Sequence, residues 1–151
     1  RFRAVNAGQS GDTSAGALDR LNWLLKNPVR VLVLELGGND GVRGLPVETT
    51  AKNLQRLIDR TRQKYPSVKI VLAGMEVPPN MGREYGDRFE AMYADLARAN
   101  KAPLIPFILE GVGGVPALNL PDGIHPTAKG QEIVAATVWK TLEPVLRSMA
   151  K

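Results

Sequence analysis

Val29-Arg30-Val31-Leu32-Val33-Leu34-Glu35-Leu36, followed at once by Gly37-Gly38-Asn39-Asp40, is the stretch that decides the fold. The first eight residues are near-continuously apolar and rich in β-branched side chains, as in a strand covered on both faces. The four that follow are turn formers. A second run of the same kind, residues 68–75, ends in Val77-Pro78-Pro79-Asn80-Met81-Gly82, and a short third one spans residues 103–107. Ala4-Val5-Asn6 reads as the end of a further short strand that breaks at Ala7-Gly8.

Helical spacing fills the intervals. Ala17, Leu18, Leu21, Leu24 and Leu25 recur on one face behind Ser10 or Asp12, either of which can cap the helix, and Pro28 ends it. Pro46 suits the first turn of a second helix, with Leu54, Leu57, Ile58 and Tyr65 on one side. A third helix turns Phe89, Met92, Tyr93 and Leu96 inward. Residues 109–123 read as loop. Pro126 then opens a last helix with Ile133, Val134 and Val138 buried, which Pro144 breaks or kinks. Strands alternating with helices imply an α/β fold, a three-layer α/β/α sandwich around a parallel sheet. Ligands of such folds bind beyond the carboxyl ends of the strands. Residues 8–13, 37–40 and 75–80 each follow a strand, so they are expected on one rim.

Composition narrows the classes. The 151 residues make one domain, 44% hydrophobic and 23% charged, ordinary for a globular protein with a sizeable core. The net charge is +5, and Arg56, Arg60, Arg62 and Lys64 share one helical stretch. Asp59 lies among them and aromatics are only 5%, so the stretch reads as a solvated face and not as a nucleic-acid platform. With no cysteine, disulfides, thiolate metal sites and a cysteine nucleophile are excluded. No apolar run approaches the roughly 20 residues of a membrane span, so no stable membrane insertion is expected. The chain opens Arg1-Phe2-Arg3 without methionine, and an upstream segment is expected.

His125 is the one histidine, so any imidazole chemistry falls to it. Asp122 stands three residues earlier in a Pro- and Gly-bracketed loop. A turn there can return the carboxylate to Nδ1–H, fix the tautomer and leave Nε2 as a base. The other reading is that both residues cap the last helix. Asn39 is either a turn residue or a side-chain amide aimed at an oxyanion, with the glycines letting substrate come close. Gly11 stands at a loop-to-helix junction, where backbone N–H groups face outward. Beside Asn39 on the same rim, it becomes a second donor. The set calls for no metal and no cofactor.

Asn6-Ala7-Gly8-Gln9-Ser10-Gly11-Asp12-Thr13, Glu35-Leu36-Gly37-Gly38-Asn39-Asp40-Gly41 and Leu120-Pro121-Asp122-Gly123-Ile124-His125-Pro126 together resemble the SGNH (GDSL) hydrolase family. The nearest branch is that of bacterial arylesterases, acyl-CoA thioesterases and lysophospholipases. The resemblance covers the whole chain, with three blocks in order. It implies the flavodoxin-like SGNH fold, with oxyanion donors from the Gly11 backbone and the Asn39 side chain. It also implies His125 as general base, Asp122 as its orienting partner, and small-molecule carboxylic esters or thioesters as substrates. A periplasmic or secreted enzyme follows from the same resemblance.

One block is missing. The family's Gly-Asp-Ser strand, bearing the nucleophile, precedes the Asn-Ala-Gly segment by some tens of residues, and nothing here matches it. Ser67 lies in a helix-to-strand connection and Ser148 near the carboxyl end, which leaves Ser10 as the minority candidate, with helix capping as its other role. In the family that first strand is central, between the strands that here end at Asn6 and Leu36. Its absence leaves two facing edges with unpaired backbone groups. Residues 1–151 are therefore expected to be an SGNH domain without its N-terminal strand. Such a chain does not fold alone, and an N-terminal peptide of the same protein completes the sheet and supplies the serine. Val42, Leu45, Met75, Pro78, Met81, Tyr85, Ile108 and Leu109 lie on or near rim loops and could receive an acyl or aryl group, though each also suits ordinary packing. Residues 41–46 and 78–86 are expected to move over substrate. Two alternatives use the same rim: a carbohydrate acetyl esterase, which more aromatics would favour, and an inactive fragment or binding module. A flavodoxin-like phosphate binder would need a Gly-rich loop with a lysine, which is absent.

Overall fold

Parallel strands cannot be joined by tight turns, so each connection must carry a helix. In the computed structural model, which describes residues 2–150, that is the arrangement found. Strands β1 (Val31–Glu35), β2 (Lys69–Ala73) and β3 (Leu104–Ile105) form a parallel sheet in the order β1-β2-β3. Helix α1 (Ser14–Leu24) precedes β1, and a short α2 (Gly38–Val42) follows it. The two crossovers carry α3 (Val47–Lys64) and α4 (Arg83–Asn100), and α5 (Ala128–Ser148) ends the chain.

Alternate residues of a strand face opposite ways, and the core divides accordingly. Leu34, Ile70 and Leu72 pack with α1, α3 and α4 in one cluster that includes Leu54, Ile58 and Phe89, all fully buried. Val71, Ala73 and Ile105 pack on the other side, against Val138, Leu142 and Val145 of α5. The three-layer α/β/α reading is correct. No helix among the described residues is long and apolar enough to cross a membrane. Arg62, one of the clustered cations, is half-buried and donates to the Asn100 side chain and carbonyl at 3.0 and 2.8 Å.

Several expectations need correction. Ala4-Val5-Asn6 forms no strand: residues 2–10 are exposed and irregular, because extended backbone becomes a strand only when a neighbour pairs with it. Helix α1 is capped by Thr13, whose side chain accepts from Gly16 N–H, and not by Ser10 or Asp12; Asp12 instead pairs with Arg20 at 2.6 Å. The last helix begins at Ala128 behind Thr127, while Pro126 sits in an antiparallel bridge with Asn119. Its Ile133, Val134 and Val138 are only half-buried. Pro144 lies inside α5 without ending it, removing one ladder donor. Gly38, Asn39 and Asp40, read as turn residues, open the short helix α2.

The two outer positions of β1 and β2 differ in surroundings. Ile70 to Ala73 of β2 are buried throughout, whereas Val31, Leu32 and Val33 of β1 are half-buried. Lys69 N–H donates to Arg30 O at 2.9 Å, which sets the parallel alternation. The N–H groups of Val31, Val33 and Glu35 consequently point away from β2, along an edge that no described strand covers.

Candidate active site

The carboxyl end of β1 is shaped by one glycine. Gly37 has φ 108°, and a Cβ there would lie 2.3 Å from the Tyr93 hydroxyl. Only glycine permits both the conformation and the approach. Tyr93 in turn donates to Leu36 O at 2.8 Å, and burial, with the carboxylates of Glu35 and Asp40 adding to it, holds its hydroxyl protonated far above the ordinary range. The chain leaves the sheet here and enters α2, whose first turn carries Asn39 and Asp40.

Three side chains of this segment hold the loop at residues 11–14. Asn39 Nδ2 donates to Asp12 O at 2.9 Å, and Arg43 Nη2 donates to Gly11 O at 3.0 Å. Asp40 is 1% exposed and accepts from Ser14 N–H at 2.8 Å and from the Ser14 hydroxyl at 2.5 Å. One N–H of the Asn39 amide and the N–H of Gly11 have no partner among the described residues. The structure thus brings Gly11 and Asn39 together, and each retains an unspent donor on one rim.

The histidine loop is built locally. Leu120 N–H donates to His125 O at 2.7 Å and Thr127 N–H to Leu118 O at 2.8 Å, closing a hairpin-like turn in which Gly123 has φ 69°. At its base, buried Asn119 donates from Nδ2 to Val112 O and Val115 O, at 2.7 and 2.8 Å. Asp122 Oδ1 accepts from the backbone N–H groups of Ile124 and His125, both at 2.9 Å. Its Oδ2 lies 2.8 Å from His125 Nδ1. Those two backbone donors, and then the imidazole, hold the Asp122 carboxyl down to about 2. Helix α5 is capped by Thr127, so Asp122 and His125 do not cap it. A carboxylate on Nδ1 places the ring proton there and leaves the Nε2 lone pair facing outward.

Other expected residues lie elsewhere. No hydrogen bond among the described residues joins the histidine loop to the Gly11 and Asn39 segments, and none joins a serine to His125. Ser10 is exposed in a turn, Ser67 is exposed, and Ser148 bonds to Val145 O on α5. Ser14 is fully buried on Asp40. Met75 and Tyr85 are half-buried against the larger core cluster, and the Tyr85 hydroxyl donates to Leu45 O at 2.7 Å. Leu109 and Ile108 are half-buried, Val42 is 44% exposed, and the Met81 methyl lies against Gly44. Pro78 lines a shallow cavity of about 280 Å³ that also presents Glu76, Val77, Arg83, Asp87 and Glu90. Burial, with Glu90 and Glu110 adding to it, raises the Glu76 carboxyl. Among the described residues no cluster of three metal-ligating side chains occurs. Sequence reasoning missed the pairing of Asp40 with Ser14, which lie 26 residues apart; Asp40 followed by Gly41 reads only as turn chemistry.

A profile of the GDSL-like lipase/acylhydrolase family matches residues 1–133. The chain is 43% identical over 146 residues to esterase TesA of Pseudomonas aeruginosa, covering 96% of this chain and 72% of that protein. It is 38% identical over 143 residues to thioesterase 1/protease 1/lysophospholipase L1 of Escherichia coli K12, covering 94% and 68%. Among solved structures, the psychrotrophic esterase EstA of a Pseudoalteromonas species, inhibited by monoethylphosphonate, superposes with a TM-score of 0.86. The identity is 31%, over 95% of this chain and 78% of that one.

The Asp122 carboxylate provides a direct check of the loop geometry. Because its folded value lies below the ordinary 3.8, the stabilisation from its bonds is complete above 3.8 and is lost as pH falls through about 2. Carboxylate carbon shifts of Asp122 followed by NMR should show a midpoint at about 2; a midpoint at 3.8 contradicts the bonding described.

Proposed function

The chain belongs to the GDSL-like lipase/acylhydrolase family, and from that premise we propose that it hydrolyses small-molecule carboxylic esters or thioesters through an acyl-enzyme. The observation that carries this reading is the 2.8 Å contact of Asp122 Oδ2 with His125 Nδ1, in a loop that caps no helix and leaves the imidazole 68% exposed. In the proposed reaction a serine hydroxyl attacks the acyl carbon while His125 Nε2 takes its proton. Asp122 stabilises the imidazolium, and the oxyanion is held by the Gly11 N–H and the free N–H of Asn39. His125 returns the proton to the leaving alcohol or thiol, then activates the water that releases the acid.

The serine is assigned to an N-terminal peptide of the same protein, pairing with the open edge of β1. Two features support this. Of the serines of residues 2–150, Ser14 is buried on Asp40, Ser67 lies in the α3-to-β2 connection and Ser148 at the end of α5, which leaves only Ser10 near the rim. The edge of β1 offers the backbone groups of Val31, Val33 and Glu35 to a further strand, and such a strand would end beside Gly37 and Asn39. We assign the acyl group to the rim segment that follows Asn39, where Val42 is exposed and Leu45 half-buried, with Met75, Pro78, Tyr85 and Leu109 as its outer surroundings. The compartment proposed is the periplasm or the cell exterior, on the strength of the resemblance alone.

The intact protein treated with a fluorophosphonate and mapped by peptide mass should carry the adduct on a serine outside residues 1–151. An adduct on Ser10 overturns the nucleophile assignment, and no adduct overturns the enzyme. Separately, Asn39→Ala should lower kcat by roughly 10²–10³ with little change in KM; a kcat within a fewfold of wild type removes Asn39 from the oxyanion hole.

A further inference from the structure

A buried carboxylate without a cation needs an explanation, because desolvating the charge is costly unless hydrogen bonds replace the water. Asp40 is such a group: it is 1% exposed and, among the described residues, forms no ion pair. Its oxygens are satisfied separately. Oδ2 accepts from the Ser14 backbone N–H at 2.8 Å, and Oδ1 accepts from the Ser14 hydroxyl at 2.5 Å and from Thr50 Oγ1 at 3.3 Å. Ser14 and Thr50 are both fully buried. Asn53 of α3 donates to Ser14 Oγ at 3.0 Å, so the Ser14 hydroxyl proton is directed to Asp40. Ser14 opens α1, so the carboxylate also meets the positive end of that helix.

These contacts have a positional consequence. Ser14 lies three residues beyond Gly11, and Asp40 is the neighbour of Asn39. One carboxylate therefore clamps together the two segments that carry the candidate oxyanion donors, with the contact of Asn39 to Asp12 O as a second strut. We propose that Asp40 is the positioning residue of the oxyanion hole: it touches no substrate and fixes the spacing between the Gly11 N–H and the Asn39 amide. This rests on the esterase reading above. A misplaced donor fails the transition state more than the ground state, so the effect belongs in kcat and not in KM.

The two-oxygen geometry makes the test specific. In Asp40→Asn the amide oxygen can accept from only one of the two Ser14 donors; if it keeps the backbone N–H, the NH2 donates to a Ser14 Oγ that already accepts from Asn53, and the buried hydroxyl proton loses its acceptor. Removing the Ser14 hydroxyl removes that stranded proton, while the amide oxygen still accepts from the backbone N–H and the NH2 can donate to Thr50 Oγ1, whose own proton turns to Pro46 O. The experiment measures kcat and KM on the intact protein, per active site titrated with fluorophosphonate, so that loss of folded protein does not enter. Asp40→Asn should lower kcat roughly 10²-fold with KM nearly unchanged, the size of effect a misplacement of about 1 Å produces. The double variant Ser14→Ala with Asp40→Asn should recover about tenfold over Asp40→Asn alone.

Two results overturn the proposal: a kcat for Asp40→Asn within about threefold of wild type, or a double variant no better than the single one. If Asp40→Asn yields no folded protein, Ser14→Ala, which keeps the backbone contact, should lower kcat about tenfold at constant KM. An unchanged kcat there also overturns the proposal. A wild-type protein that titrates no site sinks the esterase reading and this one with it; a titrating wild type with unaffected variants sinks this one alone.

Discussion

In a sheet buried between helices, every backbone N–H and C=O must find a partner, and the parallel ladder of β1 to β2 meets this requirement on one side of β1 only. The rest of the structure is arranged around that ladder. Its register sets which side chains face α1, α3 and α4 and which face α5. Its direction sends the carboxyl ends of all three strands to one rim, so that residues distant in sequence can act together there. β2 lies between β1 and β3 and is buried at every position from Ile70 to Ala73, while Val31 to Val33 on the open edge remain half-covered. The pairing requirement also accounts for the irregular form of Ala4-Val5-Asn6, which has no neighbouring strand among the described residues.

The two halves of the candidate site depend on different kinds of contact, which accounts for how much of each could be read beforehand. The Asp122 and His125 pairing arises within one turn: three residues of separation, a glycine at positive φ and two backbone donors to the carboxylate are enough to bring Oδ2 to Nδ1. Local spacing therefore announced it. The arrangement of Asn39 and Gly11 arises from contacts across 26 to 32 residues, made by Asp40, Asn39 and Arg43. No local pattern encodes these. Asn39 was legible through its place at a strand end, but Asp40 looked like turn chemistry until α2 was seen to bury it.

The fold class was legible for the same reason: continuous apolar runs and helical periodicity are local signals, and tertiary packing here agreed with them. The errors lie where packing decides. Thr13 displaced Ser10 and Asp12 as the cap of α1 because Asp12 is held by Arg20. Pro126 was taken into a bridge with Asn119, leaving Thr127 to start α5.

The central proposal is a further strand seated on the open edge of β1 in the intact protein. Native-state hydrogen exchange at Val31, Val33 and Glu35 addresses this most directly, because their N–H groups point away from β2, whereas those of Leu32 and Leu34 point toward it. With a further strand in place, all five amides in the intact protein should be protected alike, to near the global stability. Rapid exchange confined to Val31, Val33 and Glu35, with Leu32 and Leu34 protected, would contradict the proposal.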